Sequence, residues 1–397
     1  MNASLARLGI VALALLLAWR IVHVNAVLYD DSGRPRLPVA LAGGLSAAPP
    51  DREILRGMLR ENPANAEALL MLGRVDEREA NPIQARRAYQ VAYELAPLDR
   101  EVLLASAGFF LRQGEVADAL IVLDRLVENF HDARERAFPV LANVLASRQY
   151  ARAWDAIVAR GPEWVGAFIL QGCARRDLDP ALLVPMFLKR VAAGTVSAGE
   201  TGCLVNRLRA ADRWDEAYQV WLNTLPRERL ADVGFVFNGS FEHSPSGVGF
   251  DWLLARQPER EVGHAADIAQ GAGAIGKRAL RVSYNGKRQT GTPAAQYLVL
   301  PPGRYELGGF GRPSGMTAGR GVQWTLRCVS EGKPGARIAE SERFTGSSEW
   351  RRFIFDVTVP ETCRGQILQL EPVGASEGPA FVGGTVWFDD LLLRRRG

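Results

Sequence analysis

The stretch AEALLMLGRVDEREANPIQARRAYQVAYELAPLD, Ala66 to Asp99, reads as a helix-turn-helix unit of 34 residues and decides the architecture of the first half of the chain. Leu69, Leu72 and Gly73 fall on its first helix; Ala85, Tyr89 and Ala92 fall on its second, and Pro97 closes the unit. Small side chains at Gly73 and Ala85 let the helices approach closely, while Leu69, Leu72 and Tyr89 fill the groove between them. One period earlier, Leu55, Met58 and Pro63 take the Tyr89, Ala92 and Pro97 positions, which predicts a helix over roughly Asp51 to Glu61. One period later stand Leu103, Ala107, Phe110, Ala119, Leu123 and Leu126, with Gly114 at the turn between helices. Weaker copies follow, with Ala153 and Ile157 on a second helix, a pair from near Trp164, and a last unit aligning Ala217 and Trp221. Each pair is too small to bury its apolar face alone, so the pairs must stack into a solenoid over residues 51–229.

The period and the order of small and bulky positions resemble the tetratricopeptide repeat. What the resemblance implies is a solenoid that binds protein partners and does not catalyse. Its concave face would be lined by first helices, which makes Glu67, Arg74 and Glu101 the candidates for partner contact.

Residues 1–29 read as a membrane anchor or signal segment. Arg7 precedes the apolar run Leu8 to Trp19, and apolar residues resume after Arg20, so that Leu8 to Leu28 is about long enough to span a bilayer. An uncleaved single-pass anchor is favoured; the rival is a signal peptide cleaved after Val24-Asn25-Ala26. Either way the bulk of the chain is expected in the bacterial periplasm. Residues 30–50, rich in Pro, Gly, Ser and Ala, read as a linker.

The chain carries 48 Lys and Arg against 44 Asp and Glu, a formal net charge of +4 spread over 397 residues. No basic block stands among stacking aromatics, which argues against nucleic acid. The four cysteines fall as Cys173 and Cys203 in the helical part and Cys328 and Cys363 in the later part. That split permits one bridge in each, as suits an oxidising compartment, with free thiols the alternative at Cys173 and Cys203.

From about Val233 the helical period stops, and short alternating runs broken by Gly and Pro take over. The candidate strands are 249–254, 279–284, 296–300, 304–310, 322–329, 350–359, 366–372 and 385–394, with a hairpin turn at Pro301-Pro302-Gly303. Eight to ten strands without an intervening helix predict an antiparallel β-sandwich, a jelly roll, over residues 233–397. The fold class is therefore multidomain, α then β. Trp252, Trp350 and Trp387 fit alternating strand positions and read as core.

Within that region Asn238-Gly239-Ser240-Phe241-Glu242, Trp252, Ala279-Leu280-Arg281-Val282, Pro302-Gly303-Arg304-Tyr305 and Val386-Trp387-Phe388-Asp389-Asp390-Leu391 follow in an order that resembles the galactose-binding-like jelly rolls, including carbohydrate-binding modules. The resemblance implies that the opening segment and the closing Asp pair meet at one end of the sandwich around a structural calcium, with Glu242, Asp389 and Asp390 as oxygen ligands. For a glycan, whose ring faces stack on exposed aromatic rings, the candidates are Tyr284, Tyr297, Phe310 and Trp324.

No nucleophile elbow, phosphate loop or zinc-hydrolase motif stands in a fitting context, so no enzyme and no required cofactor is expected. The combined architecture resembles the anchored repeat proteins of bacterial exopolysaccharide or capsule clusters. It implies a non-catalytic adaptor recruiting polysaccharide polymerisation or export components. The alternative is a glycan-binding, or secondarily glycan-modifying, protein acting through the jelly roll, with polysaccharide as its partner.

Overall fold

The structure is a computed structural model, and it describes residues 51–147, 150–255, 263–289, 291–317, 321–330, 332–373 and 381–396. The expected anchor at 1–29 and linker at 30–50 lie outside the described residues. Among those described, no helix is long and apolar enough to cross a membrane.

The chain divides into two compact units, one ending at Val144 and the other beginning at Leu145. In the first, α1 (Arg52–Glu61) precedes two helix pairs, α2 (Ala66–Arg78) with α3 (Pro82–Leu95) and α4 (Arg100–Arg112) with α5 (Val116–Asn129). All four boundaries of the second pair lie 34 residues after those of the first. The caps repeat too. Asn65 accepts the amide of Ala68, and one period on Asp99 accepts those of Glu101 and Val102, each contact contributing about 1 kcal/mol. The turns repeat as well. Ala80 and Gly114 both take left-handed φ, at 57° and 75°. Each turn is followed by an amide bonded back to a carbonyl inside the preceding helix, Asn81 N to Asp76 O and Glu115 N to Phe110 O, both at 2.8 Å.

Close approach at Gly73 is as its size requires. A Cβ there would stand 3.0 Å from the ring of Tyr89, which is itself stacked on Phe109 with centroids 4.5 Å apart. Ala68, Met71, Ala85 and Tyr89 are buried, whereas Leu69 and Leu72 are only half-buried. The predicted filling of the groove by Leu69 and Leu72 is thus corrected by one position: Ala68 and Met71 point inward, with Leu72 packed at the edge of that small core.

The second unit holds helices and sandwich together. Its helices are α6 (Ala151–Arg160), α7 (Trp164–Ala174), α8 (Val184–Ala192), α9 (Ala198–Ala210) and α10 (Trp214–Leu222). The α9–α10 turn copies those of the first unit: Asp212 has φ 58°, and Arg213 N bonds Leu208 O at 2.9 Å.

Ten described strands form two antiparallel five-stranded sheets. One runs β1 (Leu253–Leu254), β4 (Ala294–Leu298), β9 (Gly365–Pro372), β6 (Val322–Ser330), β7 (Lys333–Glu340). The other runs β2 (His264–Gln270), β3 (Arg278–Arg288), β10 (Phe381–Arg395), β5 (Gly303–Ser314), β8 (Arg351–Val359). Trp252, Trp324, Phe344, Leu280, Val386 and Phe388 fill the space between them. The sequence reading missed β2, whose alternation rests on alanines, and β7, an exposed edge strand carrying Pro334 and Gly335. Pro301-Pro302-Gly303 is not a hairpin, because β4 and β5 belong to different sheets. Two successive prolines lack the amides a ladder needs, so the chain crosses over there, and Tyr305 closes the corner by donating its hydroxyl to Pro301 O at 2.6 Å.

The helices dock on the sandwich through α10. Trp221 packs edge-on against Phe237 at 4.9 Å and also meets Phe250 at 5.6 Å, and Trp214 meets Tyr297 at 6.2 Å. Two glycines make room. A Cβ on Gly249 would lie 2.3 Å from the Trp221 ring, and one on Gly365 would lie 2.0 Å from the Trp214 ring. Between them the buried guanidinium of Arg209 covers the Tyr297 ring at 3.6 Å and donates to Gly249 O at 3.3 Å. Loss of water pulls that guanidinium down to about 10. Gly365→Ala is expected to cost about 1–3 kcal/mol by overpacking against Trp214. Gly57→Ala, in mid-helix with open space around it, should instead add about 0.5–1 kcal/mol. Urea unfolding of the two variants measures both, and an unperturbed Gly365→Ala would remove Trp214 from the joint.

Candidate functional site

In the first unit α2 and α4 flank a groove of about 540 Å³ whose floor is Tyr89 from α3. Arg112 on α4 donates Nε and Nη2 to the two carboxylate oxygens of Glu77 on α2, at 2.8 and 2.9 Å. Tyr89 donates its hydroxyl to Glu77 at 3.4 Å, and burial pushes its phenol up to about 12. That bridge fixes the width of the groove. Arg74 and Glu101 line it without such a match: Arg74 Nη1 is buried and has no hydrogen-bond partner among the described residues. Of the three expected contact residues, Arg74 and Glu101 therefore meet in one groove. Glu67 stands outside its lining, with its carboxyl raised by burial and then by repulsion from Asp99 and Glu101. The groove also takes in Glu77, Leu104, Gly108 and Arg112. These were legible only as the residues one turn along from, or one period after, those already singled out.

On the sandwich, three of the four candidate glycan-stacking aromatics are not available. Trp324 is fully buried against Trp252 and Phe388, at 5.7 and 5.1 Å. Tyr284 is buried on the core side of β3, where loss of water drives its phenol up. Tyr297 is covered by Arg209 and Trp214. Only Phe310, half-buried on β5, stands on an outer face. Trp252 is core as read, but Trp350 and Trp387 are not. Val386 and Phe388 face inward, so Trp387 between them faces out. Alternation identifies which residues share a face; it cannot say which face is covered.

The opening and closing segments do meet, with Leu391 N bonded to Gly239 O at 2.9 Å. A Cβ on Gly239 would fall 1.9 Å from Leu391 O, so the position requires glycine. The acidic side chains, however, serve a loop. Asp389 accepts the amides of Ala274, Ile275 and Asp390 at 2.8–2.9 Å. Glu242 accepts those of Lys277 and Arg278 at 2.7 and 3.1 Å. Asp390 sits at a register shift in β10 with φ 48°. Among the described residues no group of three or more His, Cys, Asp or Glu side chains is placed to hold a metal ion. Burial raises the Asp389 carboxyl, and the three amides work against that rise.

Beside α10 lies a wider cleft of about 850 Å³, floored by Trp214, Tyr218, Phe235 and Leu300 and rimmed by Asp215 and Glu361. No residue singled out from the sequence as a contact residue lines it, because its two walls are separated by most of the sandwich in the chain.

Cys328 on β6 and Cys363 just before β9 are disulfide-bonded, with Cα atoms 5.5 Å apart, as expected. Cys173 and Cys203 are corrected to free thiols. They face each other from α7 and α9 in hydrogen-bond contact, and Cys203 also donates to Leu170 O at 3.8 Å. The thiol–thiol bond, then burial, pushes Cys173 up, while the same bond lowers Cys203. An even count of cysteines permits a bridge in each half; it does not require one. Unreduced, denatured protein should therefore take up alkylating reagent at Cys173 and Cys203 only, and at Cys328 and Cys363 after reduction. Peptide mass spectrometry reads the pattern, and a linked Cys173–Cys203 peptide would overturn it.

No protein-family model matches the chain, and no curated protein matches it. Among solved structures, a carbohydrate-binding module of family 4 shares 13% identity over 41% of this chain and 99% of its own, with a TM-score of 0.31. The xylan-binding domain CBM22-1 of Paenibacillus barcinonensis Xyn10C shares 16% identity over 40% of this chain and 91% of its own, at 0.29. TmCBM61, solved in complex with β-1,4-galactotriose, shares 17% over 41% and 99%, at 0.27. The two-sheet architecture rests on the strand register given above, not on these values.

Proposed function

We propose that this chain is a non-catalytic adaptor that docks a protein partner in the α2–α4 groove. The observation that carries the reading is the Arg74 guanidinium, half-buried in the groove wall with one nitrogen unmatched, opposite a bridge that is already satisfied. A buried donor without an acceptor costs about 1–3 kcal/mol, and a partner's carbonyl or carboxylate would recover it. The 34-residue repeat of caps and turns supports a tetratricopeptide-type solenoid as the scaffold. The same proposal places the chain on the periplasmic side of a bacterial inner membrane, held by Leu8 to Leu28, where it recruits components of polysaccharide polymerisation or export. An oxidising compartment suits the Cys328–Cys363 bridge.

A second reading, glycan binding by the sandwich, is favoured by one observation: Trp350 and Trp387 stand half-buried on an outer face.

A photo-crosslinking residue placed at Leu104, inside the groove, should capture one discrete partner in cells. The same residue at Ile83, which is 82% exposed and absent from the groove lining, should not. Arg74→Gln should abolish the Leu104 adduct while shifting stability by no more than about 1 kcal/mol. Equal labelling from both positions, or an adduct indifferent to Arg74→Gln, would sink the adaptor reading at this groove.

A further inference from the structure

The outer face of the second sheet carries a row of side chains that the core does not explain. Strand register sets Asp267, Arg281, Trp387 and Arg312 opposite one another across β2, β3, β10 and β5. Gly311 pairs with Arg351, so Trp350, the residue before β8, ends the row beside Arg312. Each neighbour along the strands points inward: Leu280 and Val282 flank Arg281, and Val386 and Phe388 flank Trp387. The Arg312 guanidinium lies between two indoles, 4.5 Å from the Trp387 ring and 5.3 Å from that of Trp350. In the adjoining row Phe310 pairs with Arg352.

The charges on this face are unequal. Arg281 is satisfied by Asp267, at 2.8 and 2.5 Å. Arg312 has no carboxylate or hydrogen-bond partner among the described residues, and neither has the exposed Arg352. A charge held over aromatic rings in water gains little, so the cation–π contacts leave Arg312 free to pair with an anion. The two indoles lie two strand spacings apart, about 10 Å, roughly the length of a disaccharide. The Arg312 guanidinium lies over both rings, so a pyranose would stack on them as that guanidinium swings out to meet a carboxylate bidentately.

We infer that this face binds an acidic polysaccharide, sugar rings on Trp387 and Trp350 and uronate carboxylates on Arg312 and Arg352. The inference rests on the glycan-binding reading and names its ligand class. A lone aromatic surface would not select an anion; here the unpaired arginines stand in register with the rings.

The test is binding of the full chain, in detergent, to polygalacturonate and to the same polymer with its carboxyl groups reduced, read by affinity electrophoresis. The expected result is retention by the acidic polymer that weakens with salt and falls about tenfold on carboxyl reduction. Arg312→Gln should lose that discrimination. Arg352→Gln, at an exposed position without a partner, should weaken it while leaving thermal unfolding unchanged, which keeps the test decisive if Arg312→Gln fails to fold. Equal retention by both polymers would overturn the acidic ligand and leave glycan binding standing. Retention by neither would remove both readings. Binding to phosphatidylglycerol vesicles or to poly(dT), but not to polygalacturonate, would overturn the inference in favour of a different anion.

Discussion

Trp214 and Trp221 on one face of α10 hold the second unit together, and everything that unit presents depends on how they are seated. Each indole lies against a glycine, Gly365 and Gly249, where any larger residue would collide with the ring. A helix that docks through two large aromatics gains a great deal of buried apolar surface from few residues. It also becomes intolerant of misplacement. Arg209 completes the joint by covering Tyr297 and bonding the carbonyl of Gly249, so the glycine that admits Trp221 is also the one that anchors the arginine. Because α10 sits there, Tyr297 is packing, and a cleft opens beside Trp214 and Tyr218.

The first unit follows a different economy. Its helix pairs repeat at fixed spacing, each capped at the same place and turned by a left-handed residue at the same position, so local chemistry sets most of its geometry. What the repeat leaves open is the groove between successive first helices. There the Glu77–Arg112 bridge spends two charges on structure and leaves Arg74 and Glu101 for other contacts.

The sandwich uses its charged groups in two ways. Glu242 and Asp389 turn to one loop and accept four of its amides, and so act as structural clips. Arg312 turns outward between two indoles and Arg352 outward opposite Phe310, and among the described residues neither meets a carboxylate. Carboxylates at a segment junction and arginines on a sheet face look equally polar in sequence. Their partners separate them.

Much of this was legible in the sequence. The 34-residue period, the end of helical texture near Val233 and most strand positions are local properties, written in spacing and turn chemistry, and the structure repeats them. The Cys328–Cys363 bridge was legible because the residues lie on or beside strands of one sheet. The tertiary structure alone decided the rest. Whether Trp387 and Trp324 are wet or dry depends on which sheet faces the other. Which amides Asp389 accepts depends on a loop 115 residues away at Ala274. Whether Tyr297 is a platform depends on Arg209 arriving from a helix that precedes the sandwich. Periodicity assigns a side chain to a face; only the packing of distant segments determines what, if anything, covers that face.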